Sequence, residues 1–541
     1  SLLVDFLRQG FSIQVEEIEL EKGLKGARIR GFIDALFRSL VIEVKRDLSA
    51  ERATGMEELD RYLRSLGAEA SFGLLTDGLD FEIYIATSNG LARVNSFSLD
   101  NVASDIVYRQ IDAYLFTATA IVPTAEEVTA RFGEPSPVFA AAFDRLQNLY
   151  ESSRSLPTVQ VKYREWERLL SKVYGTPIGD PSLFLRHTYL ASLARLLAFL
   201  ALKQSCPTGD DIPGVLTGDT FRRLGINNLA EDDFFSWILE PELLADGISL
   251  LEGLVSYLAP LDVTKVDEDL LKELYQQLVD PATRHDLGEF YTPDWLAELT
   301  LERVGFSSGQ RLLDPACGSG TFLFTAIRRL RSHGLDGEAL VDHALTGVVG
   351  LDVHPLAVAI SRVTYVLALG PALRGARRDL PIPVYMANSL QRLHVRYDEY
   401  VAVPVEGDAQ FLVPVALASE PDMLDRIIDR LVEFARRPEA LTELKEGFGA
   451  WLLSQGVDAG FPWPENLTLM NDVIRRRQDS VWAFILKNAY RPFLLTRYPF
   501  DLVVGNPPWV AYRNIKTKDY QEDIKELTIK RYHLLEPTEV K

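Results

Sequence analysis

Two segments in the second half of the chain carry side chains suited to holding a nucleoside. Around Gly318 and Gly320, an apolar strand is followed by a Gly-x-Gly turn and a helix start. Glycines permit a tight turn and close backbone approach to a ligand, whose anionic part can meet the helix N-terminus. A second strand, Val348–Asp352, ends in a carboxylate that can accept hydrogen bonds from both ribose hydroxyls of an adenosine-containing cofactor. The pair predicts a nucleoside cofactor without specifying which.

A third segment, Asp501–Trp509, ends in the run Asn506-Pro507-Pro508-Trp509. Consecutive prolines fix φ and remove two backbone donors, which leaves the Asn506 side-chain oxygen and the proline carbonyls as acceptors. Such a surface suits a planar exocyclic amino group, which donates two hydrogen bonds. Trp509 adds a flat face for stacking a base, worth ~1–3 kcal/mol.

Acidic and basic residues near the N-terminus form a third kind of pattern. Asp34 precedes the strand-like segment Val41-Ile42-Glu43-Val44-Lys45, in which alternation places Glu43 and Lys45 on one face. Asp34 and Glu43 could share a Mg²⁺ ion, with Lys45 near an attacking water. A surface strand with alternating charges is the structural alternative.

The elements that must position these residues divide the chain into three parts. Residues 1–118 alternate strand-like and helix-like segments, 119–260 are helical, and 261–541 alternate strands with helices, which predicts a parallel sheet with an insertion at about 397–500. The predicted N-terminal elements are strands Ile29–Phe37, Leu40–Lys45, Phe72–Thr76 and Phe81–Ala86 and a helix over Glu57–Leu66. The predicted strands of the parallel sheet are Arg311–Pro315, Gly347–Asp352 and Asp501–Gly505.

Composition narrows the class of protein. The 541 residues are 47% hydrophobic and 25% charged, which excludes disordered, collagenous and coiled-coil chains. The net charge of −20 does not exclude nucleic-acid binding, which needs only a local basic surface. Residues 470–500 contain six Lys and Arg residues and two Asp residues. Two cysteines exclude a disulfide framework and predict a cytoplasmic location. Tyr189–Lys203 is expected to be too short to span a bilayer, and no membrane association is predicted.

Taken together, the C-terminal motifs resemble the adenine-N6 DNA methyltransferases of the restriction-modification class. Besides Asp314-Pro315-Ala316-Cys317-Gly318-Ser319-Gly320 and Asn506-Pro507-Pro508-Trp509, the segments Gly288–Pro293 and Met386–Leu390 match the family. The family more often has an acidic residue where Asn388 stands. The resemblance implies a Rossmann-like α/β sheet and S-adenosylmethionine held by Phe290, Tyr291, Thr292, Pro293, Asp314, Ala316, Gly318, Gly320, Thr321, Asp352 and Asn388.

The same resemblance implies a reaction. Adenine in duplex DNA would be flipped out of the helix, because N6 is otherwise inaccessible in the stack. Asn506 and Pro507 would accept hydrogen bonds from N6, Pro508 would stiffen the turn, and Trp509 would hold the base. Methylases of this class usually continue with further strands and a recognition domain, so we expect the chain to be truncated at its C-terminus or to work with another subunit.

The N-terminal pattern resembles the Asp…Glu-x-Lys nuclease core that several restriction enzymes carry ahead of their methylase. It implies an α/β nuclease-like domain with Asp34, Glu43 and Lys45 as catalytic residues and Asp34 and Glu43 as Mg²⁺ ligands, joined to the methylase by a helical connector. Three alternatives stay open. In the first, the chain is the methylase of a multi-protein phage-defence system and its N-terminal domain is inactive. In the second, the methylated group is an RNA or protein amide. In the third, the chain is a non-enzymatic binding module.

Overall fold

The computed structural model describes most of the chain. Its described residues are 18–23, 32–37, 40–66, 72–87, 90–98, 122–174, 181–230, 233–278, 291–375, 381–387, 389, 395–396, 399–405, 409–418, 421–476, 482, 486–487, 499–508 and 518–535. Within them the protein is a helix-rich mixed α/β structure with three separate sheets.

The N-terminal part is a six-stranded sheet with one helix packed on it. Its elements are β1 Ile18–Gly23, β2 Phe32–Phe37, β3 Leu40–Val44, α1 Leu48–Leu66, β4 Phe72–Thr76, β5 Asp80–Thr87 and β6 Gly90–Ser98. The strands follow chain order, and only β3 and β4 are parallel, because α1 connects them as a crossover. The sequence predicted β2 to β5 but missed β1 and β6, and α1 begins nine residues earlier than predicted, at Leu48 instead of Glu57.

A helical part follows. Its helices are α2 Ala125–Phe132, α3 Pro137–Ser153, α4 Pro157–Tyr174, α5 Pro181–Lys203, α6 Ile212–Thr217, α7 Asp219–Arg223, α8 Leu244–Leu258 and α9 Leu270–Leu278, with 3-10 helices Phe234–Leu239 and Val263–Lys265. Large aromatic side chains fill its core, since the rings of Tyr150, Phe184 and Trp237 pack against one another. Inside α5, Arg195 is buried and pairs with Asp233.

The C-terminal part contains the remaining elements. The strands are β7 Leu312–Asp314, β8 Val348–Asp352, β9 Val384–Met386, β10 Val395–Arg396, β11 Tyr400–Pro404, β12 Gln410–Pro414 and β13 Leu502–Val503. The α-helices are α10 Asp294–Arg303, α11 Thr321–Ser332, α12 Gly337–Gly347, α13 Pro355–Leu369, α14 Val415–Ala418, α15 Pro421–Ala435, α16 Leu441–Ser454, α17 Trp463–Arg475 and α18 Lys518–Lys525. A 3-10 helix, Gly370–Gly375, and a π-helix, Glu526–Arg531, complete the set.

The sheet that carries the candidate site is parallel throughout and has the order β13-β7-β8-β9. Helix α11 connects β7 to the following segment, and α13 lies between β8 and β9. The order places β13 beside β7, although 187 residues separate these two strands in the chain. The carboxyl ends of β13, β7, β8 and β9 therefore meet at one edge of the sheet.

Between β9 and β13 lies a region with its own core. Strands β10 to β12 form an antiparallel sheet, and the helical residues Leu424, Ile427 and Leu431 pack in a separate hydrophobic cluster within 401–486. A hydrogen bond from Arg168 Nη1 to the Val405 carbonyl, 2.8 Å long, ties this region to α4. This core lies within the segment predicted as an insertion, about 397–500.

The helical part and the parallel sheet share a hydrophobic core. Helix α13 packs on α5, and one buried cluster includes residues on both sides of position 260. Asn228 closes the junction with β9, because its amide donates to the Ile382 carbonyl (2.9 Å) and accepts from the Ile382 N–H (2.7 Å). The core therefore does not divide at the predicted boundary of residue 260.

Two helices among the described residues are long and apolar enough to cross a membrane by length and composition, Pro181–Lys203 and Pro355–Leu373. The expectation that Tyr189–Lys203 is too short to span a bilayer was wrong, since this segment is part of the 23-residue helix α5. The apolar windows of the two helices are 89% and 78% buried in the protein, as is usual for core helices.

Candidate functional site

The site is built where three parallel strands end side by side. Asp314, the last residue of β7, pairs in register with Gly350 of β8, and the Cys317 N–H donates to the Leu351 carbonyl at 2.8 Å. On the other side of β7, the Val504 N–H donates to the Leu313 carbonyl at 2.9 Å. This ladder brings the Gly-x-Gly turn, Asp352 and the start of the Asn-Pro-Pro run to one edge.

The Gly-x-Gly turn requires glycine at both of its predicted positions. Gly318 has φ +55° and Gly320 has φ +96°, in the left-handed region that side chains disfavour. A Cβ added at Gly320 would lie 2.6 Å from Ser361 Oγ, so no larger residue fits without a shift. Gly320 is also the N-cap of α11, so the turn leads directly into the first turn of a helix. The structure thus contains the strand, the Gly-x-Gly turn and the helix start that the sequence predicted.

Asp352 lies across the turn from Gly318 and holds it in place. One carboxylate oxygen, Oδ2, accepts from the Gly318 N–H at 2.9 Å, and the other, Oδ1, accepts from the His354 N–H at 2.8 Å. His354 in turn caps α13, because its Nδ1 accepts from the Leu356 and Ala357 N–H groups. The side chain of Asp352 is half-buried, and each oxygen keeps lone pairs beyond the one backbone bond it accepts.

Asp314 is fully buried at the end of β7. Its Oδ1 accepts from the Ala316 N–H at 3.1 Å, which fixes the first residue of the turn. Burial, with a contribution from the nearby negative charge of Asp352, raises the pKa of Asp314 to about 8. Burial also raises the pKa of Asp352. Within the described part of the chain neither carboxylate forms an ion pair, so the site has acidic groups without a protein cation against them.

The Tyr291-Thr292-Pro293 segment lies against the turn. A Cβ built on Gly318 would be 3.2 Å from Tyr291 Cε1, so the ring lies directly over this glycine. Thr292 is buried, and Pro293 is the N-cap of α10. Phe290, predicted as part of the same segment, lies outside the described residues.

The Asn-Pro-Pro run begins beside Asp314. A Cβ on Gly505 would lie 2.7 Å from Asp314 Oδ1, which shows how closely the end of β13 approaches the carboxylate. Asn506 is partly exposed and Pro507 and Pro508 are exposed. Trp509 and Asn388 lie outside the described residues, although β9 ends at Met386 on the same edge, paired with Asp352.

Two predicted residues, Ala316 and Thr321, have contacts that the sequence did not indicate. The backbone N–H of Ala316 is bonded to Asp314, and the Thr321 hydroxyl donates to Asp269 Oδ2 at 2.9 Å. Sequence reasoning also missed Asp269, because it lies in a segment without motif character. It missed His354 as well, although His before Pro355 at a strand end is consistent with a helix cap.

Two of the N-terminal candidate residues, Glu43 and Lys45, form a charged cluster with a residue of α1. Lys45 Nζ lies 2.6 Å from Glu43 Oε1 and also pairs with Glu58 of α1. Burial by itself lowers the pKa of Lys45, but the bonds to Glu43 and Glu58 outweigh it and raise the pKa above its usual value. Asp34 is in β2 directly before Ala35, which pairs with Ile42, so its backbone adjoins Glu43.

No group of three or more His, Cys, Asp or Glu side chains among the described residues is arranged to hold a metal. Mg²⁺ is commonly bound through one or two carboxylates with water and phosphate completing its shell. Glu43 supplies one such carboxylate, and it is engaged by Lys45. The Mg²⁺ site thus stays a prediction.

Comparison with known families matches one part of the chain. Residues 266–372 match the family described as N-6 DNA Methylase. These residues, called the methylase segment below, are thus similar to N6-adenine DNA methyltransferases of restriction-modification type. This methylase segment includes Asp269, Tyr291, the Gly-x-Gly turn and Asp352, and it ends before the Asn-Pro-Pro run.

Individual relatives agree with that assignment. The chain is 35% identical over 112 residues to the adenine-specific methyltransferase PglX of Streptomyces coelicolor, a match covering 18% of this chain and 9% of that protein. It is 28% identical over 124 residues to the type I restriction enzyme MjaIX methylase subunit of Methanocaldococcus jannaschii, covering 23% and 20%. The matches thus span a fifth or less of these relatives' lengths. A solved DrdV–DNA complex aligns with 72% of this chain and 37% of its own, at 13% identity and a TM-score of 0.32.

The residues of the methylase segment fit the family's cofactor, S-adenosylmethionine. Asp352, whose carboxylate lies beside the turn, has oxygens that would accept from the ribose hydroxyls of this cofactor. The absence of an ion pair to Asp314 or Asp352 among the described residues suits a cofactor that brings its own positive charge.

Proposed function

We propose that this protein methylates adenine N6 in duplex DNA with S-adenosylmethionine, as part of a restriction-modification or phage-defence system. The observation that carries the proposal is the convergence of β13, β7 and β8, which brings Asn506, Asp314 and Asp352 to one edge of a parallel sheet. The family match of residues 266–372 supports the same chemistry.

In this proposal the cofactor is held by the turn and its neighbours. Asp352 accepts from the ribose hydroxyls, the backbone of Ala316, Gly318 and Gly320 lines the nucleoside, and Phe290 to Pro293 cover the methionine end. Asp314, Thr321 and Asn388 complete the surroundings. When bound, S-adenosylmethionine supplies a methyl group on a positively charged sulfur.

The Asn-Pro-Pro run receives the amino group. The Asn506 side-chain oxygen and the Pro507 carbonyl accept hydrogen bonds from adenine N6, which draws the nitrogen lone pair out of ring conjugation. Pro508 stiffens the turn and Trp509 stacks on the flipped base. The amino nitrogen gains the methyl group and gives up one proton, and the protein contributes mainly by positioning.

The decisive experiment is transfer of labelled methyl groups to mixed-sequence duplex DNA by wild type and Asn506→Ala. We expect label in N6-methyladenine, a decrease of about 100- to 1,000-fold or more in the variant, and unchanged cofactor affinity by calorimetry. Asn148→Ala, at an exposed site in α3, is the matched control. Retained turnover in Asn506→Ala would contradict the proposed role.

Other outcomes of the same assay identify the alternatives. Label in RNA or protein instead of DNA would identify an amide or RNA methylase. Cofactor binding without label in any substrate would favour a binding module or a missing recognition subunit, and adding candidate restriction or phage-defence subunits would decide between these two.

A second function is proposed for the N-terminal part. We infer Mg²⁺-dependent DNA cleavage with Asp34 and Glu43 as ligands and Lys45 beside the water. Lys45, directly after β3, contacts Glu43, and the backbone of Asp34 adjoins Glu43 through the strand register. Glu43→Gln and Lys45→Met should each abolish cleavage or restriction of phage, while Glu57→Gln, in the same helix as Glu58, should not. Equal restriction by wild type and both variants would show that this part is inactive or structural.

The setting of both reactions is also proposed. We infer a cytoplasmic protein that binds duplex DNA, in accord with relatives named as restriction-enzyme methylase subunits. Cell fractionation with an antibody to the full chain tests the location. Recovery in the membrane fraction after a salt wash would contradict it.

A further inference from the structure

The residues that set the shape of the candidate cofactor site come largely from a short segment that carries no recognisable motif. Asp269, Lys272 and Tyr275 lie at the start of α9 with spacing i, i+3 and i+6, so they project from one face. All three are buried. Each contacts a different segment of the site.

Asp269 contacts the Gly-x-Gly turn. Its Oδ2 accepts from the Ser319 hydroxyl at 2.6 Å and from the Thr321 hydroxyl at 2.9 Å. Its Oδ1 accepts from its own helix at the Leu271 N–H, 3.3 Å away. The Thr364 hydroxyl of α13 is 3.5 Å from the same oxygen. A fully buried carboxylate therefore joins the turn, α9 and α13.

Lys272 and Tyr275 contact the other two segments. Lys272 Nζ pairs with Asp294 Oδ2 at 2.7 Å, directly after the Tyr291-Thr292-Pro293 segment. The Tyr275 ring packs against Tyr291, with centroids 5.3 Å apart, and against His354, with centroids 6.2 Å apart. His354 is the residue whose N–H holds Asp352.

We propose that residues 269–275 form a bracket that preorganises the cofactor site, with Asp269 as the positioning residue for the Gly-x-Gly turn. This inference rests on the proposed function for its ligand. Two hydroxyl donors at alternate positions of the turn, Ser319 and Thr321, are held on one oxygen. These two bonds hold the turn, so Gly318 and Gly320 keep their left-handed conformation. Without the bonds, the loop would sample other conformations as well.

Asp269→Asn tests the role with little change of shape. Asparagine has one acceptor oxygen instead of two, so it cannot accept from both hydroxyls and from the Leu271 N–H together. Affinity for S-adenosylhomocysteine, measured by calorimetry, should fall about tenfold, which equals about 1.4 kcal/mol. The matched control is Asp267→Asn, an exposed aspartate two residues earlier, which should bind as wild type does.

Hydrogen–deuterium exchange of the ligand-free protein gives a readout that does not depend on the cofactor. Amides of residues 316–325 should exchange at least about tenfold faster in Asp269→Asn than in wild type, while those of β3 and β4 should be unchanged. Should Asp269→Asn fail to fold, Ser319→Ala and Thr321→Val each remove one hydroxyl donor and should show smaller changes of the same kind. Thr321→Ser keeps the donor and should restore wild-type exchange.

The outcomes separate this inference from the proposed function. Equal exchange at 316–325 and an affinity within twofold of wild type in a folded Asp269→Asn would overturn the bracket, whatever the protein methylates. Faster exchange and weaker binding, together with no methyl transfer to DNA by wild type, would support the bracket and reject the proposed reaction. Binding of no S-adenosylhomocysteine by wild type would overturn both.

Discussion

The acidic residues of the parallel sheet and those of the N-terminal sheet are stabilised in different ways. Asp269, Asp314 and Asp352 accept from backbone N–H groups and hydroxyls, whereas Glu43 and Glu82 pair with cations. Glu82, buried in β5, is contacted by Arg52 at 2.9 Å and Arg93 at 3.0 Å. The first group of carboxyl groups forms no ion pair among the described residues, whereas the second group is paired with Lys or Arg.

The difference bears on function. Around the parallel sheet, burial raises the pKa of Asp269, Asp314 and Asp352, because removal from water disfavours the charged carboxylate. In the N-terminal sheet the bond to Lys45 lowers the pKa of Glu58. The first arrangement is ready for a ligand that supplies hydroxyl donors or positive charge. In the second arrangement, Lys45 must shift for Glu43 to reach a metal ion.

The largest effect that this comparison predicts is on ligand binding at Asp352. Asp352→Ala removes the proposed acceptor for ribose and also releases the Gly318 N–H, so we expect about 100-fold weaker binding of S-adenosylhomocysteine by calorimetry. Asp246→Ala, at an exposed position of α8, serves as control. Unchanged affinity would refute the proposed ribose role of Asp352. The proposed difference between the two groups of carboxyl groups would then have no bearing on ligand binding.

A smaller effect, on stability instead of binding, is predicted at Lys45. Lys45→Met leaves Glu43 buried without its cation, and we expect the β3 and β4 amides to lose about 2 kcal/mol of protection in native-state hydrogen exchange. The double variant Glu43→Gln/Lys45→Met should recover part of the loss. Arg61→Met, which removes an exposed pair with Glu58, should cost much less. Equal losses of protection for Lys45→Met and Arg61→Met would contradict the statement that Lys45 stabilises the buried Glu43.

A further prediction concerns the pH dependence of stability at Asp314. The pKa in the folded protein, about 8, is above that of an unfolded aspartate, so the folded state binds more protons between those values and stability falls as pH rises through this window. Asp314→Asn should make the free energy of unfolding, measured by urea denaturation, less steep between pH 5 and 8. Parallel curves for the two proteins would show that Asp314 does not titrate as the buried carboxyl proposed.

Local patterns recovered the strands that carry the site. Phe72–Thr76 was predicted with its observed bounds, and β7 and β8 lie inside their predicted segments, because apolar runs that end at glycine or aspartate mark buried parallel strands. Helix α1 was cut short in the prediction because its first two turns, from Leu48, hold exposed polar residues without a periodic apolar face.

Contacts between distant segments could not be predicted in the same way. Asp269 precedes Ser319 by 50 residues, and nothing in its neighbourhood marks it as the acceptor for the turn. The reciprocal bonds of Asn228 with Ile382 span 154 residues. The spacing of residues in the sequence indicates candidate site residues. The contacts that hold these residues depend on the order of the strands in the sheet and on which helix packs on each face of the sheet.

The Asn228–Ile382 pair and the packing of α13 on α5 have a consequence for how such chains can be recombined. If the methylase part were exchanged at residue 260, the apolar face of α13 would be exposed to water. The backbone N–H and C=O of Ile382 would also lose their hydrogen-bond partner, Asn228. Residues 122–278 and the parallel sheet must therefore be exchanged together, as one unit.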